Sequence, residues 1–177
     1  MADITALIRD VPDFPEPGIV FKDIMPLLAD ADGLRSVVDA LAAPWRDAPL
    51  TAVVGIEARG FLLGTPVAMA LGVGFIPIRK AGKLPPPTEH ETYGLEYGTD
   101  TIEIHAGAIS PGDHVLVLDD VLATGGTAAA SAAMVQRLGA TVAGYSFLIE
   151  LGFLAGRAKL GDARVERLLF VDPEAEG

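Results

Sequence analysis

Short apolar runs recur along the chain, and polar or glycine-rich breaks separate them. Thr51–Ile56 (TAVVGI), Gly74–Arg79 (GFIPIR) and His114–Asp119 (HVLVLD) are nearly continuous and rich in β-branched residues. Such runs predict strands buried on both faces. Thr141–Ile149 and Arg164–Val171 predict two more. Gly33–Leu41, after Asp32, Phe61–Leu71 and the Ala-rich Thr127–Leu138, closed by Gly139, predict helices. Strands alternating with helices imply an α/β fold, a mostly parallel central sheet flanked by helices. In such sheets ligands bind beyond the C-terminal ends of the strands. Glu96–Tyr97 and Thr101–His105 read as short strands on either side of Gly98, and Ser110–Asp113 (SPGD) as a turn. Lys80–Tyr93 predicts a loop of more than a dozen residues. Loops of that length are usually functional or disordered.

Composition narrows the class. A chain of 177 residues, half of them apolar, fits a single domain spanning 1–177 with a real core. The net charge of −11 gives no general attraction to nucleic acid or anionic lipid, so an anionic ligand needs a local site. Cysteine is absent, which excludes disulfides, thiolate metal sites and a Cys nucleophile. Gly60–Ile78 carries no charge but is broken by four glycines and two prolines. It reads as a buried helix followed by a strand, and no membrane span is expected. The N-terminal MADITALIRD lacks the apolar region of a signal peptide, so the expected compartment is the cytoplasm. His90, His105 and His114 share no metal-ligand spacing.

The strongest chemical signal is VLVLDDVLATGGT, Val115 to Thr127. A buried strand leads to two adjacent carboxylates, Asp119 and Asp120. A small-residue loop, Ala123-Thr124-Gly125-Gly126-Thr127, then opens a helix. Free N–H groups and the positive end of the dipole make a helix N-terminus a phosphate site. Thr124 and Thr127 add hydroxyls, and paired carboxylates suit a vicinal diol. Phosphate at one end and a diol at the other describe a ribose 5-phosphate. An Mg²⁺-holding acidic pair of an NTPase would need GxxxxGK[ST], which is absent. A plain strand–helix turn with Thr127 as N-cap leaves the two carboxylates unexplained.

This segment resembles the PRPP-binding motif (PRPP, 5-phosphoribosyl 1-pyrophosphate) of type I phosphoribosyltransferases. FPEPGIVFKDIMPLL (Phe14–Leu28), GIEARGFLLG (Gly55–Gly64), RKAGKLPPPT (Arg79–Thr88) and LEYG (Leu95–Gly98) are similar to the adenine phosphoribosyltransferase family. The resemblance runs in order from Phe14 to about Leu160. It implies the type I phosphoribosyltransferase fold, with a small N-terminal hood at about 1–30 and a flexible lid loop at about 80–97. It also implies a reaction in which adenine displaces pyrophosphate from PRPP, with Mg²⁺, to give AMP in purine salvage.

The resemblance also implies a role for each site residue. Ala123–Thr127 take the 5-phosphate, and Asp119 and Asp120 the ribose hydroxyls. Arg59, Arg79, Lys80, Lys83 and Tyr97 serve the pyrophosphate. Part of the basic cluster acts in the neighbouring subunit's site, implying a homodimer. Glu96 handles the purine proton and is the expected catalytic residue. Val20, Phe21, Lys22, Val121 and Leu151 form the adenine pocket, with Leu122 near its floor. Mg²⁺ is carried mainly by PRPP and water, with no named protein ligand. Two alternatives stand beside this reading. A 6-oxopurine phosphoribosyltransferase would need a donor, often a Lys, beside the PRPP loop, where Val121 and Leu122 stand. A non-catalytic PRPP-sensing regulator would need a nucleic-acid surface, against the acidic charge.

Overall fold

The computed structural model describes residues 3–94 and 98–172, which fall into two compact units divided at Ala40/Leu41. In chain order the elements are β1 (Arg9–Pro12), β2 (Val20–Asp23), α1 (Met25–Ala29), α2 (Ala31–Ala42), β3 (Ala52–Ile56), α3 (Arg59–Leu71), β4 (Gly74–Lys80), β5 (Thr88–Gly94), β6 (Thr99–His105), β7 (His114–Leu122), α4 (Gly126–Arg137), β8 (Thr141–Leu151) and β9 (Val165–Val171).

In the first unit β1 and β2 pair antiparallel, with Val11 opposite Phe21 and Pro12 opposite Val20. Lys22 Nζ lies 2.9 Å from Asp10 Oδ2, and the Phe21 ring meets Phe14 edge-on, centroids 5.2 Å apart.

The second unit is built on a seven-stranded sheet of order β5-β6-β4-β3-β7-β8-β9. β4, β3, β7, β8 and β9 run parallel, while β6 and β5 add antiparallel at one edge. β3 is buried along its whole length, as its unbroken apolar run requires. One apolar cluster gathers Val54, Ile78, Ile104, Val115 and Met134; another gathers Ile56, Val117, Leu122, Phe147 and Leu160. Trp45 and Phe147 are fully buried, whereas Phe153 and Phe170 stay half exposed, Phe170 beneath the Arg167 guanidinium.

The strands and helices predicted for described residues of the second unit are present, and β7 differs in extent. It runs three residues past Asp119, to Leu122. The uncharged Gly60–Ile78 stretch folds as the end-to-end pair α3 and β4. No helix among the described residues is long and apolar enough to cross a membrane.

One expectation is corrected. Much of the loop predicted for Lys80–Tyr93 is strand: Thr88–Gly94 pairs residue for residue with β6, from Thr88↔His105 to Gly94↔Thr99. TEHETYG shows no apolar alternation: its half-buried positions are Thr88, Glu91 and Tyr93 rather than aliphatics. The irregular part is limited to Ala81–Pro87. Glu103 organises it, accepting hydrogen bonds from the Lys83 and Leu84 amides, each at 2.9 Å. These bonds hold the Glu103 carboxyl below its ordinary range, against the opposing effect of burial. Glu96–Tyr97, and with them Leu95, lie outside the described residues.

Candidate active site

The C-terminal ends of β3 and β7 lie side by side at the middle of the sheet, Ala52 opposite Val115 and Gly55 opposite Leu118. Their following segments meet there. After β3 comes Glu57-Ala58, joined by a cis peptide, and then Arg59 at the start of α3. After β7 comes Ala123–Gly125 and the start of α4 at Gly126.

β7 carries both acids inside its ladder, and consecutive strand residues point to opposite faces. The pair is therefore divided. Asp120 is buried, its Oδ2 2.8 Å from Arg59 Nε, close as an ion pair though without the alignment of a hydrogen bond. Asp119 is half-buried and lines two cavities. Its Oδ1 accepts from the Asp120 amide at 2.9 Å. Burial, and next the neighbouring Asp120 charge, push the Asp119 carboxyl well up. Burial pushes Asp120 up too, with Arg59 opposing it. Helix α3 crowds this spot: a Cβ on Gly60 would lie 2.9 Å from Asp119 Oδ1.

The smaller cavity, about 70 Å³, is lined by Asp119, Val121, Leu122, the whole run Ala123–Ala128 and Phe147. Gly125 takes φ +75°, which turns the chain into α4. The loop has a close support that no motif announces. Gly156 packs directly on its backbone, where a Cβ would overlap Ala123 O and lie 2.8 Å from Gly125 N. Gly156 is itself fixed through the next residue, Arg157. That side chain grips buried Glu150 through both carboxylate oxygens, at 2.7 and 3.1 Å, and Arg167 Nε approaches the same group at 2.6 Å. Those guanidinium contacts hold the Glu150 carboxyl below its ordinary range.

The larger cavity, about 320 Å³, opens between Glu57, Arg79, Lys80, Tyr93, Asp100, Asp119 and Thr127. Two of the cations expected for pyrophosphate line it, both already engaged. Arg79 forms a double hydrogen bond to Glu57, at 3.0 and 3.1 Å, and donates to Lys83 O at 3.0 Å. The Arg79 guanidinium lowers the Glu57 carboxyl. Lys80 Nζ is 3.7 Å from Asp100 Oδ2. Tyr93 is a residue that sequence reasoning missed. Its hydroxyl lies 3.0 Å from Thr127 Oγ1 and 3.5 Å from Asp100 Oδ2, and its ring lies against Gly126. Nothing in TEHETYG marked that tyrosine, because its partner Thr127 is 34 positions away.

The structure thus brings together Asp119, Ala123–Thr127, Val121, Arg79 and Lys80 around adjoining cavities, with Arg59 behind Asp120. Lys83 holds its loop by its backbone, donating to Glu103. Leu151 ends β8, and Val20, Phe21 and Lys22 lie in β2 of the other unit. Glu96 and Tyr97 are beyond the described residues.

An acid near the C-terminal end of a parallel strand, with a glycine turn into a helix after it, is an arrangement able to accept a sugar phosphate. Residues 31–161 match the phosphoribosyl transferase domain. The chain belongs to the phosphoribosyltransferase family, in its adenine branch. Within that family it is 57% identical to the adenine phosphoribosyltransferase of Myxococcus xanthus (strain DK1622), over 96% of this chain and 92% of that one. It is 60% identical to that of Streptomyces clavuligerus, covering 86% of each. Solved family members superpose closely. The adenine phosphoribosyltransferase of Rhodothermus marinus DSM 4252 gives a TM-score of 0.90 at 53% identity, covering 95% of this chain and 96% of that one. The Saccharomyces cerevisiae enzyme, solved with an imino-altritol bisphosphate and adenine, gives 0.87 at 42% identity, covering 92% and 94%. The type I phosphoribosyltransferase fold expected from the motif is the fold present.

Proposed function

We propose that this chain transfers the 5-phosphoribosyl group of PRPP to N9 of adenine, giving AMP and pyrophosphate. The observation that carries the reading is the loop Ala123–Thr127 at the start of α4, beside Asp119, facing the adjoining cavities. The names of its relatives supply the base.

The C1–N9 bond forms as the bond from C1 to the pyrophosphate oxygen breaks, and the purine gives up a proton. Positive charge gathers on the ribose and negative charge on the leaving group. Ala123–Thr127 bind the 5-phosphate through backbone N–H groups and the Thr124 and Thr127 hydroxyls. That fixes C1 for attack, an entropic contribution more than a chemical one. Asp119 accepts from the ribose hydroxyls, and its charge favours the cationic ring. Asp120 is assigned to the ribose hydroxyls with Asp119, and its ion pair with Arg59 also holds that cation near the pyrophosphate end. Arg59, Arg79, Lys80, Lys83 and Tyr97 stabilise the pyrophosphate. Glu57 and Asp100 keep Arg79 and Lys80 at the cavity wall, so binding exchanges one anionic partner for another.

Glu96 takes or holds the purine proton. Val20, Phe21, Lys22, Val121 and Leu151 contact the base, Phe21 by its ring and Val20 and Lys22 by backbone groups. The enzyme works as a cytoplasmic homodimer, with part of the Arg79–Lys83 cluster serving the partner's site. Of the lid expected at about 80–97, the irregular segment Ala81–Pro87 is the part that closes over the site, since β5 is paired along its length with β6.

Among the described residues no group of three or more His, Asp or Glu side chains gathers as a metal cage. Asp119, with one side open to both cavities, fits a hydrated cation shared with substrate oxygens. Mg²⁺, when bound, supplies charge that neutralises pyrophosphate.

The test is formation of AMP and pyrophosphate from PRPP, Mg²⁺ and a panel of purine bases. Turnover with adenine alone is expected. Turnover with a 6-oxopurine instead overturns the base assignment, and PRPP binding without any turnover overturns the enzyme reading.

A further inference from the structure

The hydroxyl of Tyr93 has no part in the chemistry proposed for this site. It lies 3.0 Å from Thr127 Oγ1 and 3.5 Å from Asp100 Oδ2 at the wall of the larger cavity. Thr127 stands in the first turn of α4 and lines both cavities. Tyr93 comes from the edge hairpin, which is fastened to the same helix a second time. Arg137, in the last turn of α4, holds the Glu91 carboxylate and donates to His90 O at 2.7 Å. The hairpin therefore presents the tyrosine to Thr127 from a braced position.

A hydroxyl has one proton to give and lone pairs to receive. Thr127 cannot donate to a phosphate and to Tyr93 at once. Tyr93, however, has two acceptors within reach. With Thr127 donating to Tyr93, the tyrosine proton goes to Asp100. When an anion takes the Thr127 proton, the tyrosine proton can turn to Thr127 Oγ1. The result is a chain of donors, Tyr93 to Thr127 to anion, each bond polarising the next. Burial pushes the Tyr93 hydroxyl up, so it keeps its proton through neutral and mildly alkaline pH.

We propose that Tyr93 is a positioning residue for the 5-phosphate, acting through Thr127 by supplying the hydrogen bond that frees the threonine proton for the phosphate. This rests on the reading of Ala123–Thr127 as the phosphate loop. It predicts that a phosphate-bearing ligand feels the loss of the hydroxyl, and that the same ligand without its phosphate does not.

The experiment measures binding of AMP and of adenosine by calorimetry to the full chain, as wild type, Tyr93→Phe, Thr127→Val and the double variant. Tyr93→Phe keeps the ring against Gly126, and thermal melting of each variant confirms folding. Tyr93→Phe is expected to weaken AMP about three- to tenfold, the worth of one hydrogen bond. Adenosine should stay within about twofold. Because Tyr93 acts through Thr127, the double variant should bind AMP no more weakly than Thr127→Val alone. Unchanged AMP affinity in Tyr93→Phe overturns the proposal. So does an equal loss for AMP and adenosine, which marks a merely structural tyrosine. Tighter AMP binding also overturns it, since the hydroxyl then competes for Thr127. If Thr127→Val also leaves AMP binding unchanged, the phosphate-loop reading falls; if only Tyr93→Phe is silent, the loop stands and this inference alone falls.

Discussion

Replacing Gly156 by alanine isolates the support of the loop Ala123–Thr127, proposed above for the phosphate. Gly156 adopts no left-handed backbone, so the added methyl meets a problem of space alone. Its Cβ would overlap Ala123 O and lie 2.8 Å from Gly125 N, both backbone atoms with no rotamer to yield. Overpacking of this kind costs roughly 1–3 kcal/mol. If the strain is relieved by unfolding, Tm falls by roughly 2–12 °C for a chain of this size. If it is relieved by moving the loop, the same energy appears as weaker phosphate binding, and KM for PRPP rises about 5- to 150-fold. KM for adenine should change by less than about twofold, because the methyl faces the loop. Initial rates over a PRPP titration, with a melting curve for each protein, separate these outcomes. Gly74→Ala is the control, since its Cβ would meet nothing within 4 Å. A folded Gly156→Ala protein with wild-type KM for PRPP and an unchanged Tm would refute the argument. An equal rise in both KM values would refute it too.

The buried charges carry further expectations. Asp119 has its carboxyl pushed up, so its ionised form opposes folding at pH above its unfolded value. Asp119→Asn should therefore raise Tm at pH 7 while weakening PRPP binding, and the Tm gain should fade as pH falls below about 4, where the wild-type acid is neutral in both states. An unchanged Tm at pH 7 would remove the desolvation argument. Glu150 has the opposite sign: its lowered carboxyl stabilises above its unfolded range and loses that effect as pH falls. Glu150→Gln should cost about 1–3 kcal/mol near neutral pH, read from denaturant melts, and much less at pH 3. Glu96→Gln should depress kcat more than PRPP affinity; wild-type turnover would take Glu96 out of the chemistry.

The parallel strands and the glycine turn into α4 were legible because each depends on residues adjacent in sequence. A buried strand must be apolar, and a turn into a helix at positive φ needs glycine, as Gly125 shows. Three features were not legible, and each couples distant positions. Thr88–Gly94 becomes strand only because β6 pairs with it. Gly156 matters through Ala123 and Gly125, some thirty residues away. Arg79 reads as a free cation until Glu57, 22 positions earlier, is seen gripping it. The acid pair shows the limit most simply. Adjacent letters suggested two carboxylates acting together, but a strand that continues to Leu122 sends them to different tasks.

The pairing of β3 with β7 also sets a timetable for synthesis. Thr51 N donates to His114 O across a separation of 63 positions, and the Ala52↔Val115 ladder begins beside it. At about 5–20 residues per second, a ribosome needs roughly 3–12 s to make that interval. During it β3 can pair only with β4, leaving one side of a wholly apolar strand open. The loop of Ala123–Thr127 emerges later still, and its support at Gly156 later again. The nascent chain thus holds one edge of an apolar strand bare before any substrate can bind to steady it, and the ligand-competent state forms late in synthesis.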